Sequence, residues 1–282
     1  MKIRTISGAV FTAIVAIFFA LRQFVDYRLF NIFIYFLMFM GTFEVARALR
    51  PFTNKATFIC AIIFAIISVP IYCLFNYLLP IKNAHFVFLI LSLGFSLIFL
   101  IISSKKNANG IFDYIKNLLP FVYPALLILA MLTINDLGAY GFIPMLLVFV
   151  ISPFSDVMAY LVGMTYNKIK KGNAKKLCPK LSPKKTWAGA FGGVLGGTVG
   201  SLIVYFIFNP QVNFFSPILL FILLGLVGSI FTIIGDLLES AIKRKVGIKD
   251  MGKIMPGHGG VMDRIDGISF SSTIIMLVFL LV

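Results

Sequence analysis

The stretch that decides the fold is the charge-free run over residues 186–235, TWAGAFGGVLGGTVGSLIVYFIFNPQVNFFSPILLFILLGLVGSIFTIIG. A polar break at residues 209–213 (NPQVN) divides this run into two apolar segments. A helix that crosses the hydrocarbon core of a bilayer needs about 20 mostly apolar residues. Each segment is long enough, so the run predicts two transmembrane helices.

The composition of the whole chain supports this prediction. Of its 282 residues, 60% are hydrophobic and 12% are charged, and the mean hydropathy is +1.02. Ordinary globular proteins are about 45–50% apolar and about 25% charged. A soluble single domain is therefore excluded.

Charge-free runs elsewhere in the chain complete the predicted architecture. Cutting them at Pro, Asn and Gly clusters gives nine candidate spans, and the fold class is predicted to be an all-α polytopic membrane protein. The spans lie near residues 5–21, 29–46, 57–79, 84–103, 118–135, 139–165, 186–208, 214–238 and 265–282.

The basic residues predict the orientation of these spans. Lys and Arg concentrate in short loops on the cytoplasmic side of a membrane. The nine-span arrangement places 22 of the 25 Lys and Arg residues on one face and leaves only Arg22, Arg28 and Lys82 on the other. Eight or ten spans would scatter these charges. We therefore expect a multi-pass protein of the cytoplasmic membrane with a cytoplasmic N-terminus.

The connections predict where function lies. We expect N-terminal spans over residues 1–135, about five in number, and a C-terminal catalytic region over residues 136–282. Its two long cytoplasmic connections lie near 166–185 and 239–264 and are rich in Lys and Arg. The net charge of +15 suits acidic lipid or an anionic substrate, and nucleic acid is excluded because most of the chain is lipid-soluble. The active site should face the cytoplasm.

The second connection and the start of the last span carry the densest set of polar groups. Gly257, Gly259 and Gly260 allow tight turns that point backbone N–H groups at an anion. Asp263 and Asp266 are three residues apart, so on a helix they share a face and can bind a hard divalent cation. A solvated loop facing acidic headgroups would explain the lysines, but not a carboxylate pair at the membrane boundary.

This stretch resembles the C-terminal signature of the phosphatidate cytidylyltransferases, also called CDP-diacylglycerol synthases. Met255 departs from the family's usual Leu, Ile or Phe but is similar in volume. The matching residues, with their spacing intact, are Ser240, Lys243, Arg244, Lys249, Asp250, Gly252, Pro256, His258, Gly259, Gly260, Asp263, Arg264 and Asp266.

A second block, upstream, agrees with the first. Residues 156–163 (DVMAYLVG) are similar to the family's Asp-x-x-Ala-Tyr-x-x-Gly element, and residues 181–189 (LSPKKTWAG) to its Ser-Pro-x-Lys-Thr-Trp-Glu-Gly element. Ala188 stands where the family commonly carries Glu, so the role of that Glu is not transferred to this chain. The resemblance covers about residues 150–270.

The resemblance implies a reaction in which CTP and phosphatidate give CDP-diacylglycerol and diphosphate at the lipid bilayer. It implies Mg²⁺ held by Asp236, Asp263 and Asp266, with Lys249 and Asp250 as further catalytic residues. An additional monovalent cation and a homodimer are left open, as are the number of metal ions and the acyl-chain preference. The substrate-binding residues it implies are Ser182, Lys184, Lys185, Thr186, Trp187, Ser240, Lys243, Arg244, His258, Gly259, Gly260 and Arg264.

Two other classes of protein are weighed against this one. A CDP-alcohol phosphotransferase also uses aspartates and Mg²⁺ at the membrane, but only the first part of its Asp series is matched, by residues 263–267 (DRIDG). A non-enzymatic anion transporter would favour an internal repeat with polar breaks at the midplane, and the two halves show no such repeat.

Two further features are interpreted as structural. Glu44 has Arg47 three residues on, within one helical turn, and is expected to pair with it. The glycines between 189 and 200 repeat at small-xxx-small spacing, which favours close helix packing within the protomer or at a dimer seam.

Overall fold

The computed structural model describes residues 2–78, 94, 117–257 and 259–281. Eight helical segments in these ranges are long and apolar enough to cross a membrane. The all-α polytopic prediction is confirmed, and the predicted span at 84–103 lies outside the described residues except for residue 94. The helices are α1 (Lys2–Phe24), α2 (Leu29–Leu49), α3 (Lys55–Leu78), α4 (Leu127–Asn135), α5 (Phe142–Ile169), α6 (Trp187–Phe208), α7 (Pro217–Val246) and α8 (Met262–Leu281). Helix α4 is the last part of a longer spanning segment, Asn117–Asn135.

Local sequence explains the boundaries of α6 and α7. Helix α6 ends at Phe208 and is capped by Asn209, whose left-handed backbone (φ 39°, ψ 55°) is a conformation that Asn tolerates better than most residues. Helix α7 begins at Pro217, which suits the first turn of a helix because it lacks an N–H. The polar break therefore separates two spans, as the sequence predicts.

The chain divides into two compact units, and the first contains Met1–Asp136 and Val246–Ile265. Among its described spans, Asn117–Asn135 is the most buried and α2 comes next, and the Phe33 ring of α2 stacks on Phe18 of α1 with the ring centroids 5.0 Å apart. A short 3₁₀ helix, Arg50–Phe52, and a π-helical segment, Phe121–Leu126, also belong to this unit, and the second contains a cis peptide bond at Tyr123–Pro124. The unit thus joins the N-terminal helices to the 246–265 segment.

The second unit contains Leu137–Lys245 and Asp266–Val282. Helices α5 and α6 lie in close contact because the glycine face of α6 leaves no room for side chains. A Cβ at Gly192 would lie 2.5 Å from Cβ of Val162, and one at Gly193 would lie 3.1 Å from the Ser155 carbonyl oxygen. The predicted small-residue packing is confirmed within the chain.

The connection between α5 and α6 contains the only described strands, a short antiparallel hairpin. Strands β1 (Lys176–Cys178) and β2 (Ser182–Thr186) pair in the register Lys176 with Thr186 and Cys178 with Ser182. Thr186 also caps α6, because its Oγ1 accepts the Gly189 N–H at 3.0 Å. The hairpin was not predicted, and it places residues 182–186 at a fixed position beside α6.

Helix α7 is longer than its predicted span. Its 30 residues give a length of about 45 Å, against about 30 Å for the hydrocarbon core of a bilayer. The sequence predicted an end near 238, but the helix continues through its basic last turn, Lys243–Lys245. Basic side chains favour a helix C-terminus, and here they extend α7 beyond its apolar part.

Candidate functional site

A cavity of about 450 Å³ lies in the second unit, between α5, the hairpin, α6 and α7. It is lined by residues from both upstream motifs, at 156–163 and 181–189, and by Asp236 of α7. Its polar lining is contributed by Asp156, Tyr160, Asn167, Lys176, Lys184, Lys185, Thr186 and Asp236.

An ion pair between Lys185 of β2 and Asp236 of α7 closes one side of this cavity. The Lys185 side chain is 27% exposed and the Asp236 side chain is 32% exposed, although the Lys185 Nζ atom itself is buried. Ser240, one turn beyond Asp236, donates its hydroxyl to Asp236 Oδ1 at 3.5 Å, which is a long contact. The structure thus brings together a lysine and an acid that lie far apart in the sequence.

The basic end of α7 is tied to the same hairpin. Arg244 donates its Nε–H to the Leu181 carbonyl oxygen at 3.2 Å, at the turn before β2. Lys243 pairs with Glu239 at 2.5 Å, one turn away on α7, and Glu239 is 1% exposed. Lys184, next to the paired Lys185, is exposed. The predicted phosphate-binding cations of this unit therefore include one exposed lysine and three partnered groups.

Asp266, near the start of α8, lies within electrostatic reach of Asp236, Glu239 and Lys243. Helices α7 and α8 approach closely at this level, because a Cβ on Gly235 would lie 2.5 Å from the Asp266 carbonyl oxygen. The predicted pair Asp236 and Asp266 is thus brought together in the second unit. Their like charges oppose each other unless a cation lies between them.

The donor chemistry of this pair fits Mg²⁺. Magnesium prefers oxygen ligands and is usually held by one or two carboxylates plus substrate phosphates. Within the part of the chain that the structure describes, no three His, Cys, Asp or Glu side chains form a group that could hold a metal without further ligands. Asp236 and Asp266 therefore suit a metal that arrives with a phosphate-bearing substrate.

Asp263 belongs to the first unit, where it organises the loop of residues 247–261. Its Oδ2 accepts the Met251 N–H at 2.9 Å and the Gly260 N–H at 2.7 Å. The loop turns at Gly257 (φ 75°) and Gly259 (φ 91°), a backbone conformation that glycine adopts at little cost. The sequence predicted glycine N–H groups that face a bound anion, and the Gly260 N–H faces a carboxylate of the chain itself.

The remaining predicted residues are placed as follows. Trp187 is 56% exposed at the start of α6, whereas Thr186 is buried and its hydroxyl caps that helix. Lys249, Asp250 and Arg264 are exposed in the first unit. His258 lies outside the described residues, and the Ser182 side chain is half-buried at the start of β2.

Sequence reasoning missed some residues of these sites. Asn167 and Lys176 line the cavity but belong to none of the recognised motifs. Glu44 was interpreted as structural with Arg47 as its partner, and Arg47 does lie within electrostatic reach, but the sequence did not indicate the hydrogen-bond donors of Glu44. Its oxygens accept the N–H groups of Val261 and Met262, at 3.2 and 2.9 Å. Those donors lie more than 200 residues away in the chain, so local spacing carries no signal for them.

The fold and these sites define a polytopic membrane protein in which carboxylates and basic side chains gather at helix ends. Residues 2–282 match the model of the Cytidylyltransferase family, and the chain belongs to that family.

Several named relatives support this assignment. A phosphatidate cytidylyltransferase of Helicobacter pylori strain J99 is 30% identical over 245 residues, covering 86% of this chain and 81% of the relative. A Mycobacterium bovis protein of the same name is 61% identical over 46 residues, covering 16% of this chain and 15% of that protein. One from Staphylococcus haemolyticus is 47% identical over 70 residues, covering 25% and 27%. The matches to the last two thus span well under two thirds of those proteins.

Proposed function

We propose that this protein is a phosphatidate cytidylyltransferase, which converts CTP and phosphatidate into CDP-diacylglycerol and diphosphate. Family membership and the names of the relatives support the reaction class. The observation that carries the proposal for this chain is the cavity in the second unit. There, Lys184 and Lys185 of β2 meet Asp236 of α7 and the Asp156–Gly163 motif of α5.

The reaction joins two anions, so charge neutralisation is its main requirement. CTP carries roughly four negative charges and the lipid phosphate between one and two, and their repulsion must be offset at short range. A phosphate oxygen of phosphatidate attacks the α-phosphorus of CTP. The bond between the α-phosphorus and the bridging oxygen breaks, and diphosphate leaves with that oxygen. Because the attacking oxygen is already ionised, positioning and electrostatic stabilisation dominate over general-base catalysis.

The lysines and arginines supply the fixed part of this neutralisation. Lys184 and Lys185 line the cavity, and Lys243 and Arg244 lie in the last turn of α7. We assign phosphate binding to these four residues. In the first unit, we assign the same role to Lys249 and Arg264. We also assign substrate binding to Ser182, Thr186, Trp187 and Ser240 of the second unit, and to His258, Gly259 and Gly260 of the 247–261 segment.

Mg²⁺ would be held by Asp236, Asp263 and Asp266, and when bound it supplies further positive charge for the triphosphate. Lys185 forms an ion pair with Asp236 in the structure. We propose that, when CTP enters, Lys185 leaves Asp236 and pairs with a substrate phosphate instead. Asp250 and Lys249 complete the catalytic assignment. We place the site on the cytoplasmic side of the membrane, because the long basic connections should lie there and CTP is water-soluble.

An assay of the purified protein in mixed micelles tests the proposal. With CTP, phosphatidate and Mg²⁺ we expect CDP-diacylglycerol and diphosphate in equal amounts, and EDTA should abolish both. A CDP-alcohol phosphotransferase would instead consume CDP-diacylglycerol with an alcohol and release CMP. A transporter would form no new lipid. Either of the last two results would reject the proposal.

A further inference from the structure

We propose that Glu44 of α2 is a positioning residue that holds the 247–261 loop and the start of α8 in their working shape. The inference rests on the proposed function, because it takes this loop and Asp263 to belong to the active site. All the residues concerned lie in the first unit. Glu44 itself touches no group that reacts, so its effect on turnover would pass through the loop.

Glu44 caps α8 from another helix. Its side chain is fully buried, with Oε1 accepting the Val261 N–H at 3.2 Å and Oε2 accepting the Met262 N–H at 2.9 Å. The first N–H groups of a helix have no acceptor within the helix itself. A carboxylate at this end satisfies them and interacts favourably with the helix dipole. Glu44 therefore fixes the point at which α8 begins, directly before Asp263.

Two loop glycines leave the space that this carboxylate occupies. The three atoms nearest to a Cβ built on Gly260 all belong to the Glu44 carboxyl group. A Cβ on Gly252 would overlap Glu44 Oε1 and would lie 2.8 Å from the Gly260 Cα. Neither glycine has a positive φ, unlike Gly257 and Gly259. The requirement for glycine at 252 and 260 thus comes from the space that Glu44 fills.

Two more side chains hold the same loop. Arg47, one turn beyond Glu44, donates to the Met251 carbonyl oxygen at 3.0 Å. Asp263 accepts the N–H groups of Met251 and Gly260 through Oδ2. Glu44, Arg47 and Asp263 therefore clamp the loop backbone at both ends. Because a displacement of about 1 Å at a reacting group can reduce a rate by roughly 100-fold, a clamp of this kind affects turnover without touching substrate.

Glu44→Gln is the first test, since it keeps the size of the side chain but replaces one acceptor oxygen with an NH₂ group. We expect kcat to fall at least tenfold, while KM for CTP changes less than threefold. Hydrogen exchange of the 248–262 backbone, followed by mass spectrometry, should speed up in the same variant. The matched control is Asp26→Asn, an exposed acid that accepts the Arg28 N–H at 2.7 Å, and it should change neither quantity.

A double-mutant cycle tests the fit between Glu44 and Gly260. Gly260→Ala should lower kcat at least tenfold when Glu44 is present. In a Glu44→Ala background the space is open, so adding Gly260→Ala should lower kcat less than threefold further. If Gly260→Ala lowers kcat by the same factor in both backgrounds, the proposal is overturned.

The exchange measurement keeps the two claims separate. Normal kcat and unchanged exchange over 248–262 in Glu44→Gln would overturn the clamp, whatever reaction the protein catalyses. If the wild-type protein shows no cytidylyl transfer, only the proposed function is overturned. Hydrogen exchange in the Glu44→Gln variant would still decide whether Glu44 holds the loop.

Discussion

The cavity of the second unit and the 247–261 loop of the first unit use charged groups in opposite ways. In the cavity, Lys185 and Asp236 pair through their side chains, which stay about 30% exposed and line the cavity. In the loop, the carboxylates of Glu44 and Asp263 accept backbone N–H groups, and Glu44 is fully buried. One region places a paired lysine and acid at a cavity, whereas the other uses its acids to hold the shape of the backbone.

This difference teaches how motif residues should be interpreted. A conspicuous Asp or Gly in a polar motif can act on a substrate or on the chain that surrounds it. Gly260 lies beside the Glu44 carboxyl group and donates its N–H to Asp263, so its neighbours are other parts of the protein. Lys185 lies at a cavity and its partner is half-buried. Substitutions in the two regions should therefore produce different patterns of loss.

The largest effect is expected from the aspartates of α8. Asp263→Asn and Asp266→Asn should each lower kcat by roughly 10³-fold or more, because each change removes a charge proposed to hold Mg²⁺ while keeping the size of the side chain. Of these two variants, only Asp263→Asn should also speed hydrogen exchange over residues 248–262, since Asp263 accepts loop N–H groups and Asp266 accepts the Gly267 N–H. Near-normal turnover of either variant at saturating Mg²⁺ would remove that residue from the metal site.

A smaller effect is expected from Lys185→Met. The change removes a cation from the cavity and leaves Asp236 without its partner, so kcat/KM for CTP should fall about 10- to 100-fold, the range for a charge-assisted contact with phosphate. Steady-state kinetics with varied CTP would measure it. Lys180→Met is the matched control, because Lys180 is exposed at the hairpin turn between β1 and β2. Equal losses in the two variants would show that the hairpin contributes only general positive charge.

Gly235→Ala should reduce stability in the second unit. Its Cβ would lie 2.5 Å from the Asp266 carbonyl oxygen, and a backbone atom cannot move aside as a side chain can. We expect a loss of about 1–3 kcal/mol in the free energy of unfolding, seen as a lower thermal midpoint in detergent. Gly228→Ala, on the same helix, meets only the Ile151 side chain at 3.3 Å and should cost less. The opposite order would contradict the close approach of α7 and α8.

The smallest effect is expected from Ala188→Glu, which restores the residue that the family commonly carries. Ala188 lies in the first turn of α6, where a negative charge is tolerated. Turnover should change less than tenfold, equivalent to about 1.4 kcal/mol. If the wild-type protein has no cytidylyltransferase activity and the variant does, the chain is a degenerate member of its family.

The helices could be predicted from the sequence because hydropathy alone constrains them. A membrane span must be apolar over about 20 residues, and this requirement left a clear signal at the polar break of residues 209–213. The hairpin gave no such signal. Its strands are three and five residues long, and β2 (SPKKT) lacks the alternation that marks a half-buried strand.

Site residues could be predicted only where they belong to a recognisable sequence motif. The SPKKT segment and Asp236 were identified from the sequence, and the structure places both at one cavity. The role of Glu44 could not be predicted, because its backbone partners lie 217 and 218 residues further along the chain. Local spacing offered Arg47 as a partner instead. Long-range contacts to backbone N–H groups leave no pattern in the side-chain sequence, so only the folded chain reveals them.

The fate of isotopic label in CTP tests the central claim most directly. With intact protein, phosphatidate and Mg²⁺, label in the α-phosphate of CTP should enter the lipid product, while label in the γ-phosphate should leave as diphosphate. This outcome requires attack of the lipid phosphate on the α-phosphorus. If the α-label stays in the aqueous phase under these conditions, the protein does not transfer a cytidylyl group and the account is wrong.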